Sequence, residues 1–281
     1  MPEPRIRILE LGERKAVFVL ENVNPSIANA LRRTLLGGIP KLAIHEVHFL
    51  KGRVKDSRGN EFEAVAPLYD EIIAHRMAMI PLPHDPTMKP WKECETDDVT
   101  KAGDECVVVY YVEKAGPGIV WSRDLRPINR PSDFAPVDPD IPIVKLAKGQ
   151  GIMAYAYAVV GYGRDHAKWQ ATHGVGYKYY PVIEVDQGKC DLCGDCVQAC
   201  PRKILKIEGE RLVVTDEKSC ILCDACVEAC GRGAISVRGD ETRFIFRFET
   251  DGSMTAAQAL RYALKELIEG FDKLRKEASL R

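Results

Sequence analysis

The sequence predicts an α+β protein in three pieces, and three observations carry that prediction. Both ends of the 281-residue chain read as strand followed by helix. The middle carries short β-type apolar runs broken by proline. Eight of the ten cysteines fall in one stretch, as two copies of one phrase, CDLCGDCVQACP from Cys190 and CILCDACVEACG from Cys220. The pieces expected are a discontinuous domain over 1–50 with 241–281, an inserted β-rich domain over 51–182, and a cysteine-rich α+β domain over 183–240.

At the N-terminal end, Ile6 and Ile8 alternate with charges, Gly12 marks a turn, and AVFVL (16–20) is a more continuous apolar strand, together a hairpin. Asn24 is placed to cap a helix with Pro25 at its first position, where the missing N–H of proline is harmless. That helix sets Ile27, Leu31 and Leu35 on one stripe, with Arg32 and Arg33 beside them. Gly37, Gly38 and Pro40 end it. From about Phe49 to Tyr180 the chain reads as irregular and proline-rich, with β-type runs such as VVVYYV (107–112) and an exposed loop at PLPHDPTMKPWKECETDD.

After the cysteines, residues 242–249 read as a strand with Phe244, Phe246 and Phe248 on one face, and a long helix begins near Thr255. Leu260, Leu264, Leu267, Phe271, Leu274 and Ala278 recur at four- and three-residue steps, a heptad seam. Burying its five large side chains is worth on the order of 10 kcal/mol gross. A second line of Ala256, Ala259, Ala263 and Ile268 flanks the seam, so one side can pack on the protein's own sheet and the other on a partner helix.

Each cysteine run reads C-x2-C-x2-C-x3-C. This resembles bacterial-type ferredoxins, where three thiolates from a tight loop and a fourth from the other run hold a 4Fe–4S cluster. On that pattern Cys190, Cys193, Cys196 and Cys230 ligate one cluster, and Cys200, Cys220, Cys223 and Cys226 the other. The expectation is two 4Fe–4S clusters, with a 3Fe–4S form or an absent cluster at one site as the alternative. Pro201 follows the first run as the pattern expects, whereas Gly231 departs from it in the second. Zinc sites favour two C-x2-C pairs with a longer spacer. A disulfide framework would need a secretory context, and neither a secretory signal nor a membrane span is read here. Intact thiolates point to a reducing compartment, hence cytoplasm. Cys94 and Cys106 lie far from this module without histidine partners, and are expected to be reduced thiols.

The net charge of −1 offers no electrostatic footprint for DNA or an anionic membrane. No Walker loop, G-x-G-x-x-G turn or H-E-x-x-H helix is present, so the chain is expected to be catalytically silent. His75, among apolar neighbours in AHRMAMI, reads as a packed or hydrogen-bonded residue, and His166 with Trp169 in HAKW as a packing or interface element.

The phrases LYDEIIAHRMAMIPL (68–82), NPSIANALRRTLLGGIPKLAI (24–44), IPIVKLAKGQ (141–150), GYGRDHAKWQ (161–170) and FIFRFETDGS (244–253) resemble the α-like D-type family of archaeal RNA polymerase subunits. They also match its eukaryotic counterpart and, more distantly, the N-terminal domain of the bacterial α subunit. The resemblance spans essentially the whole chain, including the ferredoxin-like insertion of some archaeal members. It implies that 1–50 with 241–281 form a dimerisation domain whose partner is the small subunit L. It further implies that this pair is the platform for the two large catalytic subunits, that subunits N and P join it, and that DNA is met only through the complex. The helix with Arg32 and Arg33 then faces a large subunit and partner. A reading from another class is a ferredoxin-type electron-transfer protein fused to a protein-binding scaffold. A redox regulator that tunes assembly by cluster loss is a third.

Overall fold

The computed structural model describes residues 2–56 and 58–279. In chain order the elements are strands β1 (Arg5–Leu11) and β2 (Lys15–Glu21), helix α1 (Pro25–Gly37), strands β3 (Pro40–Phe49), β4 (Arg53–Lys55) and β5 (Glu61–Glu63), and helix α2 (Asp70–Ala78). Strands β6 (Val107–Ala115), β7 (Gly118–Trp121), β8 (Arg126–Pro127), β9 (Pro142–Leu146), β10 (Gly151–Tyr162) and β11 (Thr172–Val185) follow. The cysteine segment holds helices α3 (Asp195–Ala199) and α4 (Ala225–Glu228) on either side of a hairpin, β12 (Leu205–Glu208) with β13 (Arg211–Val214). Last come β14 (Ile235–Thr250) and α5 (Ala256–Ser279). The protein is thus α+β, with strands predominant.

By contact the chain divides into two compact units. One gathers residues 1–11, 16–32 and 174–248. Its sheet runs β1-β2-β14-β11, so strands from the two ends of the chain are neighbours. Phe18 on β2 and Phe244, Phe246 and Phe248 on β14 are fully buried. Period-two alternation puts the three β14 rings on one face of the strand, where Tyr177 and Tyr179 of β11 pack against them. The outer strand β1 is exposed but for the half-buried Ile6, with Ile8, Leu9 and Leu11 all exposed.

The segment 183–240 hangs from this sheet. Strand β11 runs into it and β14 runs out of it, so no linker separates the cysteines from the two neighbouring strands. Its small core joins Ile204, Leu205, Leu212 and Ile235 to the buried cysteines Cys196, Cys200, Cys220 and Cys226.

The other unit gathers residues 12–15, 33–173 and 249–281. Its main sheet has the order β3-β10-β6-β8. Helix α2 buries Ile73 and Met77 in the same core as Leu42 and Ile44 of β3 and Val108 and Tyr110 of β6. The region read as irregular is therefore well ordered, and the reading is corrected at β10 and β11. The run GIMAYAYAVVGY alternates alanine with tyrosine, and alanine is a weak strand signal that becomes decisive only when β3 and β6 cover both its edges. Gly161 in this strand admits the Trp169 ring, since a Cβ there would lie 2.4 Å from it. Trp169 Nε1 donates to the Val159 carbonyl at 3.1 Å, and the His166 ring packs edge-on against Trp169.

The helix ends follow local chemistry. The Asn24 side chain accepts from the Ile27 N–H at 3.0 Å, satisfying a donor that α1 leaves open. At its other end, Thr172 Oγ1 donates to the Leu35 carbonyl at 2.6 Å. Helix α5 opens on a reciprocal capping box: the Gln258 N–H donates to Thr255 Oγ1 at 3.2 Å, and the Thr255 N–H donates to Gln258 Oε1 at 2.9 Å. Among the described residues no helix is long and apolar enough to cross a membrane.

Candidate functional site

The eight cysteines of the doubled phrase line two hollows. Cys190, Cys193, Cys196 and Cys230 surround the first, with Leu192, Ile207, Leu212 and Ile235. Cys200, Cys220, Cys223 and Cys226 surround the second, with Ile183, Ile204, Leu205 and Val237. Each hollow takes three cysteines from one run and the last cysteine of the other. Helices α3 and α4, which lie on either side of the β12–β13 hairpin in the chain, pack against each other, so the end of each run meets the start of its sister.

The backbone repeats with the sequence. The angle φ is positive at Leu192 (60°), Gly194 (85°) and Lys203 (52°), and again at Leu222 (56°), Asp224 (58°) and Gly233 (59°). These positions correspond one to one in the two runs. Leucine, lysine and aspartate enter the left-handed region at a cost of about 1–3 kcal/mol each, and such strain persists where a ligand clamp holds it. Here it turns N–H groups inward: Ala234 N–H donates to Cys230 Sγ at 3.3 Å and Leu222 N–H to Cys220 Sγ at 3.4 Å. The backbone donor at Ala234 holds the Cys230 thiol below its ordinary range. Burial, then the neighbouring Cys230, Cys190 and Cys193, raises the Cys196 thiol. Burial and Cys200 push Cys226 up to about 11. Burial among neighbouring thiols thus opposes ionisation of Cys196 and Cys226, and a cationic core would relieve it.

Among the described residues, no three His, Cys, Asp or Glu side chains close on a point where one ion could sit. A cubane binds each thiolate through a separate iron, so it takes sulfurs spread around a hollow. The donor set, the apolar walls and the inward N–H groups fit a cluster at each hollow.

Cys94 and Cys106, expected as reduced thiols, are joined in a disulfide. The cause is tertiary. The loop before β6 folds back so that their Cα atoms stand 6.2 Å apart, within bridging range, inside a cluster of Trp91, Val99, Val107 and Trp169.

The expected interface residues divide by burial. On α1, Leu31 and Leu35 are buried, Ile27 is 38% exposed, and Arg33 is exposed. Arg32 turns back to Asn29, its guanidinium donating to Oδ1 at 3.0 and 3.1 Å. On α5, Leu260 is buried and Leu264 and Leu267 are half-buried, whereas Phe271 and Leu274 are 53% and 61% exposed. Of the flanking line, Ala256, Ala259 and Ala263 are buried, but Ile268 is 62% exposed, so the second side is covered over the first half of the helix alone. His75, expected to be packed or hydrogen-bonded, is exposed on α2. It is its neighbour Arg76 that binds the fold, donating to the Ile143 carbonyl at 2.6 Å.

Sequence reasoning missed one group beside the cysteines. Lys178 of β11 donates from Nζ to the carbonyls of Lys218 (2.6 Å) and Cys220 (2.7 Å). No spacing rule reaches it, because it enters from a strand outside the cysteine segment.

A family model described as the RNA polymerase Rpb3/Rpb11 dimerisation domain matches residues 17–271. Among curated proteins, the chain is similar to DNA-directed RNA polymerase subunit Rpo3 of Picrophilus torridus, with 40% identity covering 97% of this chain and 98% of that protein. It is equally similar to Rpo3 of Thermoplasma volcanium, at 40% over 94% and 95%. Rpo3 of Methanothermobacter thermautotrophicus is 39% identical over 91% of each chain.

Proposed function

The chain belongs to the RNA polymerase Rpb3/Rpb11 dimerisation family, and on that premise we propose that it is a non-catalytic assembly subunit of a DNA-directed RNA polymerase. The observation that carries the reading is the apolar seam of α5, which starts in the core at Leu260 and continues exposed at Phe271 and Leu274, with Ile268 of the flanking line exposed beside them. A soluble chain gains nothing from three large apolar groups on one exposed helical face unless a partner covers them. The partner we assign is the small α-like subunit L, helix against helix. The resulting pair is the platform on which the large catalytic subunits, with subunits N and P, assemble. Arg33 and Ile27 on α1 extend the same function.

In this reading residues 183–240 form a ferredoxin-like domain holding two 4Fe–4S clusters. Cys190, Cys193, Cys196 and Cys230 hold one; Cys200, Cys220, Cys223 and Cys226 hold the other. When bound, each cluster would tie three cysteines of one run to the last cysteine of the other and supply a one-electron couple. The chain's own residues supply the walls, the inward N–H groups and the strained turns. A segment this small, without a single aromatic residue, draws much of its folding energy from such links.

The test is purification of the tagged chain from its native cells without oxygen. The expected result is recovery of the large polymerase subunits together with about eight iron atoms per chain, two four-iron sites. Recovery of the chain without polymerase subunits contradicts the assembly role. Polymerase without iron contradicts the clusters and leaves the assembly role standing.

A further inference from the structure

The two hollows share a backbone but not a charge environment. Around the first, Asp191 accepts from the Cys193 N–H at 3.3 Å and is ion-paired with Arg232 at 3.1 Å. Asp195, the first residue of α3, is a second carboxylate facing Cys193, so carboxylate outweighs cation there. The ion pair Lys189–Asp186 at its edge cancels within itself. Around the second, Arg202 donates to the Ser219 carbonyl at 3.2 Å, and Asp224 lines the wall. To these is added Lys178, half-buried, its ammonium held by the carbonyls of residues 218 and 220. Asp216, the carboxylate facing that ammonium, accepts from Ser219 Oγ at 2.5 Å and has Lys218 beside it, and Glu217 accepts from the Ile183 N–H at 3.2 Å.

We propose that Lys178 makes the two sites electrically unequal, so that the cluster held by Cys200, Cys220, Cys223 and Cys226 is the more easily reduced of the two. Reduction adds one electron to a cluster whose charge is already negative with its four thiolates. A fixed cation against the ligand loop stabilises that added charge, and carboxylates oppose it; local charge and hydrogen bonding are among the levers that set cluster potentials. Lys178 is a positioning residue here. It touches the backbone of Cys220, and through that carbonyl dipole and its own charge it acts on the cluster. Because it stands on β11, a strand of the sheet that holds both ends of the chain, the bias also ties one cluster to that sheet.

The inference rests on the proposed clusters, and the experiment separates the two. Full-length protein, prepared without oxygen, is titrated with dithionite while the reduced clusters are followed by low-temperature paramagnetic resonance. Wild type is expected to show two potentials. In Lys178→Gln, which keeps a donor but removes the charge, the upper potential should fall by at least tenfold in reduction equilibrium, about 59 mV for one electron, while the lower stays. Lys178→Arg should restore it. Should Lys178→Gln lose its iron, the same comparison is made between wild type and Lys178→Arg against Asp191→Asn, which should raise the lower potential alone. Two clusters with equal potentials, or a shift in the wrong one, overturn the inference and spare the reading beneath it. Wild type without clusters overturns both.

Discussion

The rings of Phe18 and Phe246 lie face to face, with centroids 5.1 Å apart and planes 8° from parallel. Phe18 belongs to the N-terminal hairpin and Phe246 to the strand that follows the cysteines, so this stack closes the sheet across nearly the whole length of the chain. Phe248 adds an edge-on contact to Phe18 at 6.5 Å.

Truncating one member tests how far the sheet depends on that closure. Phe246→Ala empties a fully buried aromatic site and should cost about 3–5 kcal/mol in urea unfolding. Leu11→Ala, at an exposed position of the outer strand β1, should cost well under 1 kcal/mol. Equal small losses would mean the stack closes nothing.

His84 links acidity to stability. Its backbone N–H donates to the Ser253 carbonyl at 2.9 Å, and its Nε2 lies 3.3 Å from the Tyr262 hydroxyl of α5. Its Nδ1 is buried and meets no hydrogen-bond partner among the described residues. Burial pushes its pKa down to about 4 from the ordinary 6.5. The unfolded chain therefore takes up a proton between those values that the folded chain refuses. Stability is full above pH 6.5 and falls as pH drops toward 4. Between pH 7 and 5 the wild type should lose about 2 kcal/mol relative to His84→Phe, in which this group cannot titrate. Parallel urea curves for both proteins at the two pH values make the measurement, and an unchanged difference would contradict it.

The Cys94–Cys106 bond closes a loop of 12-residue separation. Loops of that size gain about 3 kcal/mol from closure. Alkylation of the denatured, unreduced protein followed by peptide mass spectrometry should recover the two cysteines as one linked pair, and Cys94→Ala should lower the melting temperature. Both cysteines alkylated in unreduced protein would show the bridge is absent.

Much of this architecture was legible in the sequence where a short period carries the signal. Asn24 before Pro25, the three phenylalanines of β14 and the repeated cysteine phrase each declare their local structure within a few residues. What escaped depends on distant partners. The Ala/Tyr alternation of β10 becomes a strand through β3 and β6, and Cys94 meets Cys106 through a loop whose path the chain does not announce. Lys178 reaches Cys220 from another element. The heptad of α5 was readable as a stripe, but not where its burial stops, because that depends on how far the protein's own core extends beneath it.

That boundary offers the most direct test of the assembly role. Phe271→Asp places a charge on the exposed half of α5, beyond the buried Leu260 and Ala263, so the isolated chain should melt like wild type by circular dichroism. Within a helix–helix interface the same carboxylate would be buried unpaired, a cost of several kcal/mol that no such contact absorbs. Co-expressed with the small subunit L, wild type should give a one-to-one complex and Phe271→Asp should give none. A complex that survives the substitution, or a variant that fails to fold alone, would contradict the account.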